Sequence, residues 1–199
     1  MKRLEIIIII LILFPFAFAG CEPSIEELKT KRDVDGLIQK LRENGFFSTR
    51  LEAATALGEI GDKQAIAPLI YSLQDEDKNF RVGATMALAK IGEPAVAPLI
   101  EALKGEDKNV RMGATTALAN IGKSAISPLI EFLKNEHKIP RIVSFGDDVR
   151  MGARVALARM GEPAVAPLIE ALKNEDENVR MGAKVALARM GEPAVAPLH

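Results

Sequence analysis

RMGATTALANIGKSAISPLIEFLK, Arg111 to Lys134, decides the fold, because the rest of the chain is this unit written again with edits. It recurs as RVGATMALAKIGEPAVAPLIEALK from Arg81, RMGARVALARMGEPAVAPLIEALK from Arg150 and RMGAKVALARMGEPAVAPL from Arg180. A looser copy, RLEAATALGEIGDKQAIAPLIYSLQ, starts at Arg50. The leading arginine steps from 50 to 81, 111, 150 and 180, a period of 30 to 31 residues with one nine-residue insertion. Repeats of that length form a stacked solenoid, in which each unit buries its apolar face only against its neighbours.

Composition agrees with a helical stack. Hydrophobic residues make up 48% of the 199, aromatics 5%, and Trp is absent, so Ala, Leu, Ile and Val must fill the core. The net charge is −1 overall; after Gly20 it is −2, from 24 Lys and Arg against 26 Asp and Glu. That balance argues against a nucleic-acid partner.

The N-terminus reads as a secretory signal. Lys2 and Arg3 precede an apolar run from Ile6 to Phe14, a breaker at Pro15, and then Phe18-Ala19-Gly20-Cys21. The ending resembles a bacterial-type lipobox, matched by Ala19 and Gly20 before Cys21; Phe18 stands where that pattern has Leu. The resemblance implies that residues 1–20 are removed and Cys21 is lipidated, holding the mature chain outside the cytoplasm at a membrane. Secretion, or an uncleaved N-terminal anchor, stays open as the alternative. The uninterrupted apolar run is shorter than the roughly 20 residues of a spanning helix. Cys21 is the only cysteine, so no intrachain disulfide supports the fold.

Residues 21–45 read as a tether followed by degenerate capping helices. Ser24 and Glu27 have capping-box spacing, and Asp35 to Glu43 forms a second helix closed by Asn44-Gly45. From 46 to 199 the repeats follow. Ser48, Asn79, Asn109, Asp148 and Asn178, two residues before each arginine, are the expected N-caps and place repeat starts near 48, 79, 109, 148 and 178. Gly61, Gly92, Gly122, Gly161 and Gly191 stop each first helix. Gly83, Gly113, Gly152 and Gly182 sit inside first helices, where glycine costs about 1 kcal/mol relative to Ala, and imply close backbone approach of a neighbour. Pro94 and Pro98 confine the start of the second helix to about residues 95–97. Val96, Leu99, Ile100 and Leu103 then make one apolar stripe. The sum is about five antiparallel helical hairpins, the last incomplete at His199.

VRMGATTALANIG and AVAPLIEALK resemble HEAT-like repeats of the phycobilisome-lyase type, and the likeness covers residues 46–199. It implies an all-α, HEAT/armadillo-like superhelix. It does not imply a chemistry, because that family includes lyases, a hydroxylase and plain scaffolds. The hydroxylase branch carries His-Glu pairs as iron ligands; here His137 and His199 are the only histidines, and neither begins such a pair. No Ser-His-Asp set, phosphate loop or metal-spaced cysteines occur, so no catalytic residue, metal or cofactor is expected. The copies Arg150–Leu168 and Arg180–Leu198 differ at one position in 19, which also admits a consensus-like or designed array.

Three surfaces are candidates for a partner. The arginine ladder has Asp77, Asp107 and Asp176 four residues earlier, and local pairing is the expectation there. On the second helices Tyr71, Glu101, Glu131 and Glu170 point outward beside Gln74, Lys104, Lys134 and Lys173. If second helices line the concave side, as the resemblance implies, a Glu row and a Lys row face a groove. Ordinary i,i+3 pairing of solvated charges explains the same pattern. Tyr71 and Phe132 depart from the repeat as aromatics on or near this surface, and aromatics serve as binding anchors. The insertion, residues 137–146, offers Lys138, Arg141, Ile142 and Phe145 to a partner or a lipid surface, or folds back over a widened gap. The expected function is non-catalytic binding of a protein or peptide, with a lyase- or hydroxylase-type enzyme or accessory as the alternative. Nothing indicates an oligomeric state.

Overall fold

The computed structural model describes residues 22–43, 45–134 and 146–191. Among them eleven α-helices alternate with turns and no strand occurs. In chain order these are α1 Ile25–Thr30, α2 Val34–Arg42, α3 Phe47–Ile60, α4 Ile66–Tyr71, α5 Lys78–Ile91, α6 Val96–Ala102, α7 Lys108–Ile121, α8 Lys123–Lys134, α9 Gly146–Met160, α10 Glu162–Ala171 and α11 Glu177–Met190. The odd-numbered helices are the first helices of each hairpin and pack side by side, α3 on α5, α5 on α7, α7 on α9 and α9 on α11. The second helices make the other layer, α4 on α6, α6 on α8 and α8 on α10. The fold is an α-solenoid of HEAT/armadillo-like hairpins.

The helix starts follow from a repeated device that differs from the sequence expectation. Asp107 Oδ1 accepts the amides of Asn109 at 2.7 Å and Val110 at 3.0 Å, so Asp107 caps α7 while Asn109 lies in its first turn. Asp77 and Asp176 cap α5 and α11 in the same way. The carboxylate satisfies two amides that a helix leaves unpaired and sits at the positive end of its dipole. The ladder arginine serves the same turn. Arg111 donates from Nη1 to the carbonyls of Gly105 and Glu106 at 2.9 and 2.6 Å, and Arg81 and Arg180 do likewise in their own turns. These arginines clasp the incoming loop, and the aspartates four residues earlier are caps.

Each first helix ends where expected. Gly61, Gly92, Gly122, Gly161 and Gly191 all have positive φ, between 68° and 81°, a region open to glycine at no steric cost. The second helix then opens with a 3-10 turn in two copies, at Lys63–Ala65 and Glu93–Ala95, so that α6 starts at Val96 just before Pro98. α8 and α10 instead run through from Lys123 and Glu162, keeping Pro128 and Pro167 inside the helix.

The core is the expected stripe repeated. Leu69, Leu99, Leu129 and Leu168 from the second helices and Leu57, Leu88, Leu118 and Leu157 from the first are fully buried. Burying each such side chain contributes about 1.5–3 kcal/mol. The internal glycines seat leucine side chains where neighbouring backbone was expected. A Cβ on Gly113 would lie 2.8 Å from Leu73 Cδ2, and on Gly182 2.5 Å from Leu133 Cδ1. Close backbone approach occurs one position family away: a Cβ on Gly58 would lie 2.8 Å from the Ala87 Cα, where α3 crosses α5.

Candidate partner-binding surface

The outward positions of the second helices carry the residues that the sequence nominates. Tyr71 stands at the end of α4 with 72% of its surface exposed, and Glu101, Glu131 and Glu170 are exposed at the equivalent turn of α6, α8 and α10. Glu101 accepts from Lys104 at 2.5 Å and Glu170 from Lys173 at 3.1 Å, both i,i+3 within one repeat. In these two copies the Glu and the Lys are therefore linked, and such solvated pairs contribute only a few tenths of a kcal/mol. What they leave is a polar, outward-facing ribbon beside Tyr71.

The ribbon is indented between α8 and α10. Ser127, Ile130, Glu131, Pro167, Glu170 and Lys173 line an open cleft of about 390 Å³. Ile130 and Pro167 give it apolar lining, and Glu131, Glu170 and Lys173 give it carboxylate and ammonium groups.

Phe132 does not join this surface. It is 8% exposed, packed into the core, with the Lys104 ammonium 6.0 Å from its ring centroid. The equivalent positions are Ser72 and Ala171, both buried, and Ala102, half-buried, so this position points inward and the phenylalanine fills space there. Lys138, Arg141, Ile142 and Phe145 of the insertion lie outside the described residues, as do Cys21 and both histidines. Among the described residues no helix is long and apolar enough to cross a membrane, and no group of three or more His, Cys, Asp or Glu is placed to hold a metal ion.

One exposed aromatic pair escaped the sequence reading. Phe46 is 84% exposed and occupies the N-cap place of α3 without a side-chain cap, where later copies have the capping aspartates; Phe47 beside it is also exposed. The signal was present, since Phe46 and Phe47 align with Asp77-Lys78 and Asp107-Lys108. A copy that gives up a cap for an exposed ring departs from the local rule without a packing return.

The first copy is also held differently. Arg50 forms an ion pair with Asp75, sits 4.0 Å over the Phe80 ring and donates to the Leu41 carbonyl. Burial of Asp75 opposes its ionisation, but hydrogen bonds from Arg50 and the Asp77 amide outweigh it and hold the carboxyl below its ordinary value. On the opposite face Glu59 receives Lys29 at 2.5 Å and Lys90 at 2.9 Å, which lower its pKa to about 2.

The family model for HEAT repeats matches residues 34–104 and 139–198, and that for the PBS lyase HEAT-like repeat matches residues 110–135. No curated protein matches. Among solved structures, the chain is similar to the complex of CpcE and CpcF of phycocyanin lyase from Nostoc sp. PCC7120, with 24% identity, covering 92% of this chain and 71% of that one at a TM-score of 0.42. It is similar to the archaeal HEAT-like repeats protein from Thermococcus onnurineus NA1, with 16% identity, 83% and 75% coverage and a TM-score of 0.40. It is also similar to human deoxyhypusine hydroxylase in complex with glycerol, with 19% identity, 83% and 76% coverage and a TM-score of 0.35.

Proposed function

This chain belongs to the HEAT-repeat family, and we propose that it is a non-catalytic scaffold that binds a protein or peptide along its second-helix layer while a lipid on Cys21 anchors it outside the cytoplasm. The observation that carries the reading is the outward row Tyr71, Glu101, Glu131 and Glu170, exposed in successive copies, with the cleft between α8 and α10 set into it. A bound segment lays an apolar residue on Tyr71 or Ile130 and meets the carboxylates with donors. The insertion, residues 137–146, is a second contact through Lys138, Arg141, Ile142 and Phe145. The i,i+3 lysines set the charge that a partner must exchange, so the surface selects by charge pattern more than by net charge.

The test is a peptide-display selection against the full chain, followed by binding measurements on Tyr71→Ala, on Glu131→Ala with Glu170→Ala, and on a chain lacking residues 137–146. Loss of about tenfold or more in affinity, 1.4 kcal/mol or above, in the first two variants supports the reading. Selected peptides that bind all variants equally remove it. The anchor is tested apart from this by mass spectrometry of the membrane fraction, where an unmodified Cys21 in the mature chain refutes lipidation.

A further inference from the structure

The first-helix layer carries a pattern that the proposed function leaves unused. The residue after each ladder arginine is Leu51, Val82, Met112, Met151 and Met181, one per copy. Val82, Met112 and Met181 are about half exposed, and Met86 on α5 is 63% exposed. Leu51 and Met151 are half-buried, so the five positions form an apolar row across the stack that is most open at Val82, Met112 and Met181. Methionine recurs in such rows at surfaces that adapt to a partner.

Beside the row the charge changes along the chain. The position eight residues further on, two turns along the helix, is Glu59, Lys90, Asn120, Arg159 and Arg189. From Arg150 to Met160 in α9, and from Asn178 to Met190 in α11, there is no acidic residue. Arg159 leans back over α7 to donate to Thr116 Oγ1 at 3.2 Å, and Arg189 leans over α9 to Met151 Sδ at 3.2 Å. Both guanidinium groups thus meet neutral acceptors among the described residues and lie against the apolar row of the preceding helix. Between α7 and α9 the surface dips into a cavity of about 200 Å³, with Met112, Thr115, Met151, Val155 and Arg159 on its walls.

We infer that this face, over α7, α9 and α11, is a second docking surface whose occupant is an acidic amphipathic helix of a partner protein. Neighbouring helices lie about 8–10 Å apart, and two turns of a bound helix, about 11 Å at a 1.5 Å rise, step from one to the next when that helix crosses them slightly aslant. One apolar residue every two turns therefore meets Met112, Met151 and Met181 in succession, and carboxylates on the flank of that stripe meet Arg159 and Arg189. A lipid surface fits less well. Interfacial helices insert aromatic or leucine side chains, and α7, α9 and α11 hold no Trp, Tyr or Phe. A second copy fits less well too, because Glu59, at the acidic end of the same row, is already held by Lys29 and Lys90.

The experiment uses the full chain and a fluorescein-labelled amphipathic helical peptide of Leu, Ala and Glu with leucines at two-turn spacing, read by anisotropy. The same peptide with every Glu replaced by Gln is the control. Expected are binding that weakens with added salt, and a loss of about tenfold or more both for the Gln peptide and for Arg159→Glu with Arg189→Glu. Circular dichroism confirms that this variant stays folded, and Glu131→Ala with Glu170→Ala binds the peptide as the wild type does. Equal binding of the Glu and Gln peptides, or no binding of either, overturns the inference. So does sedimentation with phosphatidylglycerol vesicles that exceeds peptide binding and falls in the charge-reversed variant. A dimer in analytical ultracentrifugation that the same variant abolishes assigns the face to a second copy and overturns it as well.

Discussion

On the second-helix layer Glu101 meets Lys104 and Glu170 meets Lys173 inside one repeat, whereas on the first-helix layer Glu59 draws Lys29 and Lys90 from the helices on either side of it. The first kind of pair survives whether or not a neighbour is seated. The second exists only in the stack. The same division holds for packing: the close backbone crossing at Gly58 and Ala87 and the aspartate caps with their arginine clasps belong to first helices and their entry turns. Both layers bury leucines, but the ion pairs and the close backbone crossing that depend on a seated neighbour lie in the first layer, while the second layer's exposed charges pair within a copy. A partner can compete for the second layer's charges without loosening the stack.

The sharpest way to break this contrast is at Gly58. Gly58→Ala pushes a methyl group into the Ala87 backbone, and overpacking of that kind costs about 1–3 kcal/mol, read as a lower denaturation midpoint. Gly45→Ala, with no atom within 4 Å of the added Cβ, is the neutral comparison. Equal midpoints for the two variants would mean that α3 and α5 do not meet so closely.

Next in size is the cap. Asp107→Ala should lose about 1 kcal/mol of stability in chemical denaturation, and Asn109→Ala distinctly less, because the carboxylate of Asp107 accepts both first-turn amides. The reverse order would restore Asn109 as the cap.

Glu59 gives the layer a pH dependence. Hydrogen bonds from Lys29 and Lys90 lower its pKa from the ordinary 4.5 to about 2. Its contribution is therefore complete above the unfolded value and is lost as pH falls from about 4.5 to about 2. Melting temperatures followed through that window should drop less steeply in Glu59→Gln than in the wild type. Parallel curves would show that the two lysines do not hold Glu59 in solution.

The smallest effect belongs to the second layer. Lys104→Ala should change stability by no more than about 0.5 kcal/mol. A larger loss would show that the Glu101–Lys104 pair holds the stack, and the contrast between the layers would fail.

How much of this was legible in the sequence depends on the kind of interaction. The period, the glycine stops and the leucine stripe report backbone geometry and burial, which a single repeat states in full. The caps were misassigned because Asp107 and Asn109 are both good cap types and only the turn geometry decides between them. Phe132 reads from sequence as lying on or near the surface beside Glu131, yet its counterparts Ser72, Ala102 and Ala171 are all small and none is exposed, a clue that only comparison of copies brings out. Cross-helix contacts such as Arg189 with Met151 join residues 38 apart and leave no trace in spacing within one copy.

In α5, α7 and α11 the aspartate cap, the arginine clasp and the left-handed glycine all lie within one copy and the turn that leads into it. A copy therefore carries its own instructions for starting, stopping and turning back, and needs from its neighbours only a leucine-lined face like its own. Inserting or deleting one such unit changes the length of the array and leaves the kind of every remaining contact as it was. That makes the array easy to lengthen by repeating one unit, and Arg150–Leu168 and Arg180–Leu198 differ only in Arg154 against Lys184.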